Sequence, residues 1–277
     1  MFQAFVIQAL VTGGVYALLA VGFSLIFGVA RMVNLAHTSF LMLAAYGMFY
    51  TTYRLGLDVF TAILISLVAT VIIGLVSYKL FIDRVREHEV TVMLITLALA
   101  TIFQESMVLA FGAHFREAPT LIPGFIEVFG VKVSYQHLLT IAVVVVVLLA
   151  IRLATSVSCA VALMGINVSR ILLIAMGIAA ALAAIAGIVV APLWVVYPYM
   201  WMNPLVMIMA IVVLGGLGSI KGSVIGAFII GLVEAAVVFY LPGGAFLRGA
   251  IALLVMVVLL VVRPEGLYGI VFEEERL

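Results

Sequence analysis

The chain has 277 residues, 68% of them hydrophobic and 9% charged, with a mean hydropathy of +1.44 and a formal net charge of +1. A water-soluble domain carries roughly 25% charged residues, so these values exclude a soluble fold and imply an all-α, polytopic membrane protein. No cluster of Lys and Arg points to nucleic acid; the one cysteine, Cys159, excludes an intramolecular disulfide, and four scattered histidines (His37, His88, His114, His137) predict no metal centre.

A spanning helix needs about 20 apolar residues, and the apolar runs predict about nine crossings, within a range of eight to ten. They fall at 5–30, 38–53, 59–81, 90–112, 138–151, 171–192, 204–217, 222–241 and 246–262. The fifth and seventh are short enough to be half-helices. The amino terminus lacks a basic region ahead of its first apolar run and is expected to carry no cleaved signal. The whole chain, 1–277, reads as one transmembrane domain.

The first polar feature in chain order is Val33-Asn34-Leu35-Ala36-His37-Thr38-Ser39-Phe40, between two apolar runs. Lipid cannot hydrogen-bond a backbone, so a broken or re-entrant segment there must be covered by protein or line a wet cavity. Asn34 and His37 are costly at that depth and are candidates for a translocation path; the plainer reading is a connection whose Thr38 or Ser39 caps the next helix. Gln104 and Glu105 in the fourth crossing, and Glu234 in the eighth, are expected to face the bundle interior, because a central acidic residue costs about 2.5–3.5 kcal/mol on insertion scales. Gln104 and Glu105 are taken as path candidates, and Glu234 as an interhelix hydrogen bond.

The segment 152–170 is read as a loop in which Ala160 to Met164 form a short helix ended by Gly165, with Asn167 or Ser169 capping the next span. The aromatics of 194–204 suit an interfacial belt. Gly218, Gly222 and Gly226 recur every four residues, as do Ala179, Ala183 and Gly187, and both series fit close helix packing. The polar or glycine-rich breaks at 33–53 and 214–234, with Gly215 and Gly216 in the second, suggest two halves meeting through broken helices.

Orientation follows from the basic residues. With the carboxyl terminus in the cytoplasm and the amino terminus outside, Arg31, Lys79, Arg84, Arg86, Arg152, Arg170, Lys221, Arg263 and Arg276 lie inside, against Arg54, Arg116, Lys132 and Arg248 outside. No nucleotide-binding, esterase or zinc-protease motif occurs, so ATP hydrolysis is not expected of this chain.

Four stretches in order carry a resemblance. They are Thr12-Gly13-Gly14-Val15-Tyr16-Ala17-Leu18 running on to Gly28-Val29-Ala30-Arg31-Met32-Val33-Asn34-Leu35-Ala36-His37, the loop ending Leu163-Met164-Gly165-Ile166-Asn167, Val213-Leu214-Gly215-Gly216-Leu217-Gly218-Ser219-Ile220-Lys221-Gly222, and Arg263-Pro264-Glu265-Gly266-Leu267-Tyr268-Gly269. Together they resemble the permease subunits of bacterial ABC importers for branched-chain amino acids. The resemblance implies a multi-pass permease of the bacterial cytoplasmic membrane that is not itself an enzyme and binds no cofactor. Its implied partners are a second permease, two cytoplasmic ATPases using ATP and Mg, and an extracytoplasmic binding protein. It also implies that Ser158, Cys159, Ala160, Ala162, Leu163, Met164, Gly165, Ile166 and Asn167 couple to the ATPases. Cys159 departs from the pattern, since members usually have an acidic residue there. Urea, amide or other amino acid substrates within the same family, and a proton-coupled secondary transporter, stand as alternatives.

Overall fold

A computed structural model describes residues 2–128, 131–158, 168–262 and 267–268. Helix α1 (Phe2–Ala30) is followed by α2 (Ser39–Tyr53), α3 (Val59–Ser77) with a π-helical turn at Tyr78–Ile82, and α4 (Glu89–Phe111). A two-stranded antiparallel hairpin, β1 (Phe125–Val128) and β2 (Val131–Ser134), precedes α5 (Tyr135–Ser158), α6 (Val168–Val190), α7 (Met202–Gly215), α8 (Ile220–Tyr240) and α9 (Gly244–Val262). The hairpin, set in the segment 113–137 that the sequence leaves as a loop, and an isolated antiparallel bridge between Arg116 and Val196 depart from an all-helical fold.

Among the described residues six helices are long and apolar enough to cross a membrane: Phe2–Ala30, Val59–Ile82, Glu89–Phe111, Tyr135–Leu153, Ser169–Val190 and Ile220–Tyr240. α7 and α9 are shorter apolar helices, and α2 has 15 residues. The chain is therefore a multi-pass helical membrane protein. The fifth helix is longer than the run 138–151 predicts. At its start, Gln136 Nε2 donates to the Val189 carbonyl at 3.0 Å and Thr140 Oγ1 to the Gln136 carbonyl at 2.8 Å, so polar residues that read as loop are paid off inside the helix. At its end, 152–158 continue the helix, and 168–170 open α6. Of the expected loop 152–170, the two flanks are thus helical; Cys159 to Asn167, the rest of the candidate coupling segment, lie outside the described residues, and Ser158 is the last residue of α5.

Local chemistry sets several ends. Asp58 caps α3 by accepting from the Thr61 amide at 3.0 Å and its hydroxyl at 2.5 Å, which holds the Asp58 carboxyl below the usual carboxylate range. Ser219 caps α8, its hydroxyl accepting from the Gly222 amide at 3.1 Å. Gly112 ends α4 at φ +76°, where a side chain would be strained.

α1 and α6 form the enclosed centre. α1 is buried on every side from Val11 to Ser24. Packing there is backbone against backbone. A methyl on Gly231 would overlap the backbone of Gly13 in α1, one on Gly187 the Leu41 carbonyl in α2, and one on Gly222 the Gly215 carbonyl in α7. Between apolar helices in lipid, such close approach supplies the association energy that the hydrophobic effect cannot. Gly222 and Gly226 face α7, and Ala183 is fully buried. Gly218 precedes α8, sits at φ +80° in the α7–α8 turn and lies against Gly28 of α1.

The contacts repeat across two halves. α1 packs on α8 as α6 packs on α3; α1 touches α7 as α6 touches α2; α2 packs on α3 as α7 packs on α8; α2 touches α4 as α7 touches α9. α1 and α6 pack on each other between them. The pattern matches α1–α4 with α6–α9 and leaves α5 as the connector. It corrects the correspondence suggested by the sequence: the break before α2 is matched by 191–201, before α7, and not by the glycine turn after α7.

Candidate functional site

The two breaks are built alike. In the first, α1 ends at Ala30 and Arg31 takes a left-handed φ of 52°, which turns the chain back. Turn hydrogen bonds then step the backbone into α2: the His37 amide to the Asn34 carbonyl at 3.2 Å, Ser39 to Ala36 at 3.1 Å and Leu41 to Thr38 at 3.2 Å. In the second, Met200 bonds back to Tyr197 at 3.1 Å, Met202 to Tyr199 at 3.2 Å and Leu205 to Trp201 at 3.1 Å, leading into α7.

Side chains satisfy what the backbone leaves open at depth. Asn34 Oδ1 accepts from the Ala36 amide at 3.0 Å, and Ser39 Oγ donates to the Ala36 carbonyl at 2.6 Å. Thr38 does not cap α2: its backbone is already helical and its hydroxyl has no partner among the described residues. Here the capping reading of Thr38 and Ser39 gives way to an Asn34-centred turn. His37 Nε2 lies 3.0 Å from the Leu19 carbonyl, which can only accept, so Nε2 carries the proton. Leu19 lies eleven residues before Ala30, about 16 Å back along α1. The segment therefore folds back alongside α1. The His37 ring is fully buried, edge-on to Phe23 at 6.2 Å and seated over Gly22. Asn34 borders a small, mostly apolar cavity with Ile26, Met32, Tyr78 and Met176, and its Nδ2 approaches the Met176 sulfur at 3.6 Å.

α4 reaches both breaks. The Thr96 hydroxyl, fully buried, accepts from the Leu35 amide at 3.1 Å while donating to the Val92 carbonyl at 2.8 Å. Two turns further on, Gln104 Oε1 accepts from Trp201 Nε1 at 3.0 Å, and Gln104 Nε2 donates to Glu105 Oε1 at 3.0 Å. Thr96 carries no signal in the sequence, where Trp201 reads as one of the interfacial aromatics. Trp201 is 2% exposed, so it does not belong to an interfacial belt; aromatic composition alone cannot tell a belt residue from one that supports a helix start.

The carboxylates divide. Glu234 is buried and accepts from the Tyr16 hydroxyl at 3.1 Å, which joins α8 to α1. Glu105 is exposed on the outer face of α4, beside exposed Thr101 and Ser106, and not in the interior as expected. The two hydroxyls bond to the backbone of their own helix, Thr101 to Leu97 and Ser106 to Ile102, so the carboxylate, held on one oxygen by Gln104, is bonded by neither of them. Gly215 and Gly216 are buried in the α7–α8 turn, where the Leu267 and Tyr268 amides donate to the Leu214 and Gly215 carbonyls at 2.7 and 3.1 Å. The structure thus brings Asn34 and His37 together, and Gln104 with Glu105, while Gly215 and Gly216 sit apart in their turn. No group of three metal-ligating side chains occurs among the described residues.

A family profile described as branched-chain amino acid transport system, permease component, matches residues 5–262. The high-affinity branched-chain amino acid transport system permease protein BraD of Pseudomonas aeruginosa is 28% identical, with 95% of this chain and 94% of that protein covered. The corresponding LivH of Escherichia coli is 27% identical over 93% and 92%. A probable branched-chain amino acid transport permease, LivH of Methanocaldococcus jannaschii, is 26% identical over 95% and 91%. No solved structure matches the chain.

Proposed function

From the premise that this chain belongs to the branched-chain amino acid transport permease family, we propose that it is the membrane subunit of an ATP-driven importer for leucine, isoleucine and valine. The observation that supports this most is the end-to-end match to permeases of such systems, with the two breaks inside the matched region. In this reading the nine helices all cross, the amino terminus is outside, and the halves α1–α4 and α6–α9 run in opposite directions, an arrangement common in transporters. The chain resides in the cytoplasmic membrane and pairs with a second permease. Two cytoplasmic ATPases use ATP and Mg, and a binding protein delivers substrate from outside. Ser158, Cys159, Ala160, Ala162, Leu163, Met164, Gly165, Ile166 and Asn167 form the segment that meets the ATPases.

Transport proceeds by alternating access. ATP drives it through its different affinity for the two states of the complex. Glu105 contributes an acidic wall to the path between the two permeases, because a carboxylate facing lipid would cost about 2.5–3.5 kcal/mol. Asn34 and His37 hold the inner break, Gln104 the outer one, and Gly215 and Gly216 the turn between α7 and α8. The test is uptake of radiolabelled leucine by cells carrying Glu105→Gln. The expected result is uptake lowered about tenfold with assembly retained; unchanged uptake removes Glu105 from the path. Co-purification in mild detergent tests the assembly: ATPases and a second permease are expected, and a chain that transports alone under a proton gradient would replace this reading with a proton-coupled one.

A further inference from the structure

We infer that α4 is a rigid brace that couples the two breaks, with Thr96 and Gln104 as its positioning residues; the inference rests on the reading of the two breaks as parts of a transport path. α4 is peripheral, packing mainly on α2 and the π-helical turn. Yet its inward polar side chains each hold a group at one of the two breaks. Thr96 takes the Leu35 amide beside Asn34 and His37, and Gln104 takes the indole of Trp201, the residue on which α7 starts. The two pins lie eight residues apart, about 12 Å along one continuous helix. Phe103 adds a ring contact to Phe40, the second residue of α2, at 6.1 Å.

The chemistry of each pin is directional. The Thr96 hydroxyl spends its proton on the Val92 carbonyl and so can only accept from Leu35. Gln104 accepts from Trp201 and donates to Glu105, so its amide cannot rotate without losing both partners. A contact made at Glu105 is thereby transmitted through one amide to the start of α7. A shift of α4 along its axis would displace Leu35 and Trp201 together, which is how a packed rod carries a small displacement between distant sites. α9, the counterpart of α4, touches α7.

The test uses the full chain purified by itself in lipid nanodiscs, in a Trp194→Phe background, so that Trp201 is its sole tryptophan. Thr96→Val keeps the shape and removes the acceptor, Gln104→Met keeps the length and removes the amide, and Thr96→Ser is the control. Hydrogen exchange of peptides covering 35–41 and 200–206 is read beside Trp201 emission. Thr96→Val is expected to speed exchange at 35–41 about fivefold, the equivalent of one net hydrogen bond, and also to shift Trp201 emission. Gln104→Met is expected to speed exchange at 200–206 and at 35–41, while Thr96→Ser stays near the parent. Effects confined to the break nearest each substitution overturn the brace, and either variant alone is enough to decide. Leucine uptake by the parent is a separate readout, so absence of transport would refute the proposed function without bearing on the coupling.

Discussion

Gly22 shows how one residue without a side chain sets a site. A methyl there would stand 2.8 Å from His37 Cε1, and the ring would have to leave the Leu19 carbonyl. A buried acceptor or donor left unpaired costs about 1–3 kcal/mol. Gly22→Ala is therefore expected to reproduce His37→Leu, with lower uptake and unchanged recovery of the complex. Loss of the complex in both variants would make the pair scaffold and not part of the path. The cost of placing Asn and His at depth was enough to single out Asn34 and His37 from the sequence. Gly22 was not legible, because nothing in Val21-Gly22-Phe23 says which side chain, fifteen residues on, will need the space.

Helices were legible where hydropathy alone decides, and eight of the nine runs end within a few residues of the observed helices. The fifth was misjudged because Tyr135-Gln136-His137 and the polar turns after Arg152 look like loop until Val189 and the helix itself supply partners. One inter-element link is open to a pH test. Asp83, just past the π-helical turn, accepts from Lys79 at 2.7 Å and from Ser169 of α6 at 3.2 Å. The hydrogen bond from Lys79 leads in holding its carboxyl below the usual range. A depressed carboxyl stabilises the fold above its unfolded pKa, near ~3.9, and loses that contribution as pH falls through the lower folded value. Thermal unfolding in detergent should thus show no Asp83 contribution to pH dependence between about pH 5 and 8, and a loss below about pH 4 that Asp83→Asn abolishes. Because the Lys79 side chain is 63% exposed, the size should stay under about 1 kcal/mol.

At the scale of the molecule, the repeated contacts and the basic residues make one prediction about sidedness. In a Cys159→Ser background, a cysteine placed at Phe2 should react with an impermeant thiol reagent added to whole cells, and one placed at Tyr268 should react only in inverted vesicles. Equal labelling from one side would require an even number of crossings and would remove the inversion of the two halves. The repeat was only half visible in sequence. Both breaks lie beside long apolar helices, but the second, 191–201, is aromatic where the first is polar, and only the contacts reveal them as counterparts.

The seam between α1 and α8 also has a consequence in time. Tyr16 waits for Glu234, 218 residues later, and Ser24 for Ser223, 199 residues later. At synthesis rates of about 5–20 residues per second, α1 emerges from the ribosome roughly 10–40 s before its closest neighbour exists. Throughout that interval its glycine face and hydroxyls must be sheltered by the insertion machinery or by α6. Closure of the seam is then a late step of synthesis, with only α9 to follow, and a chain cut short before α8 leaves an unfinished α1 for membrane proteolysis to find.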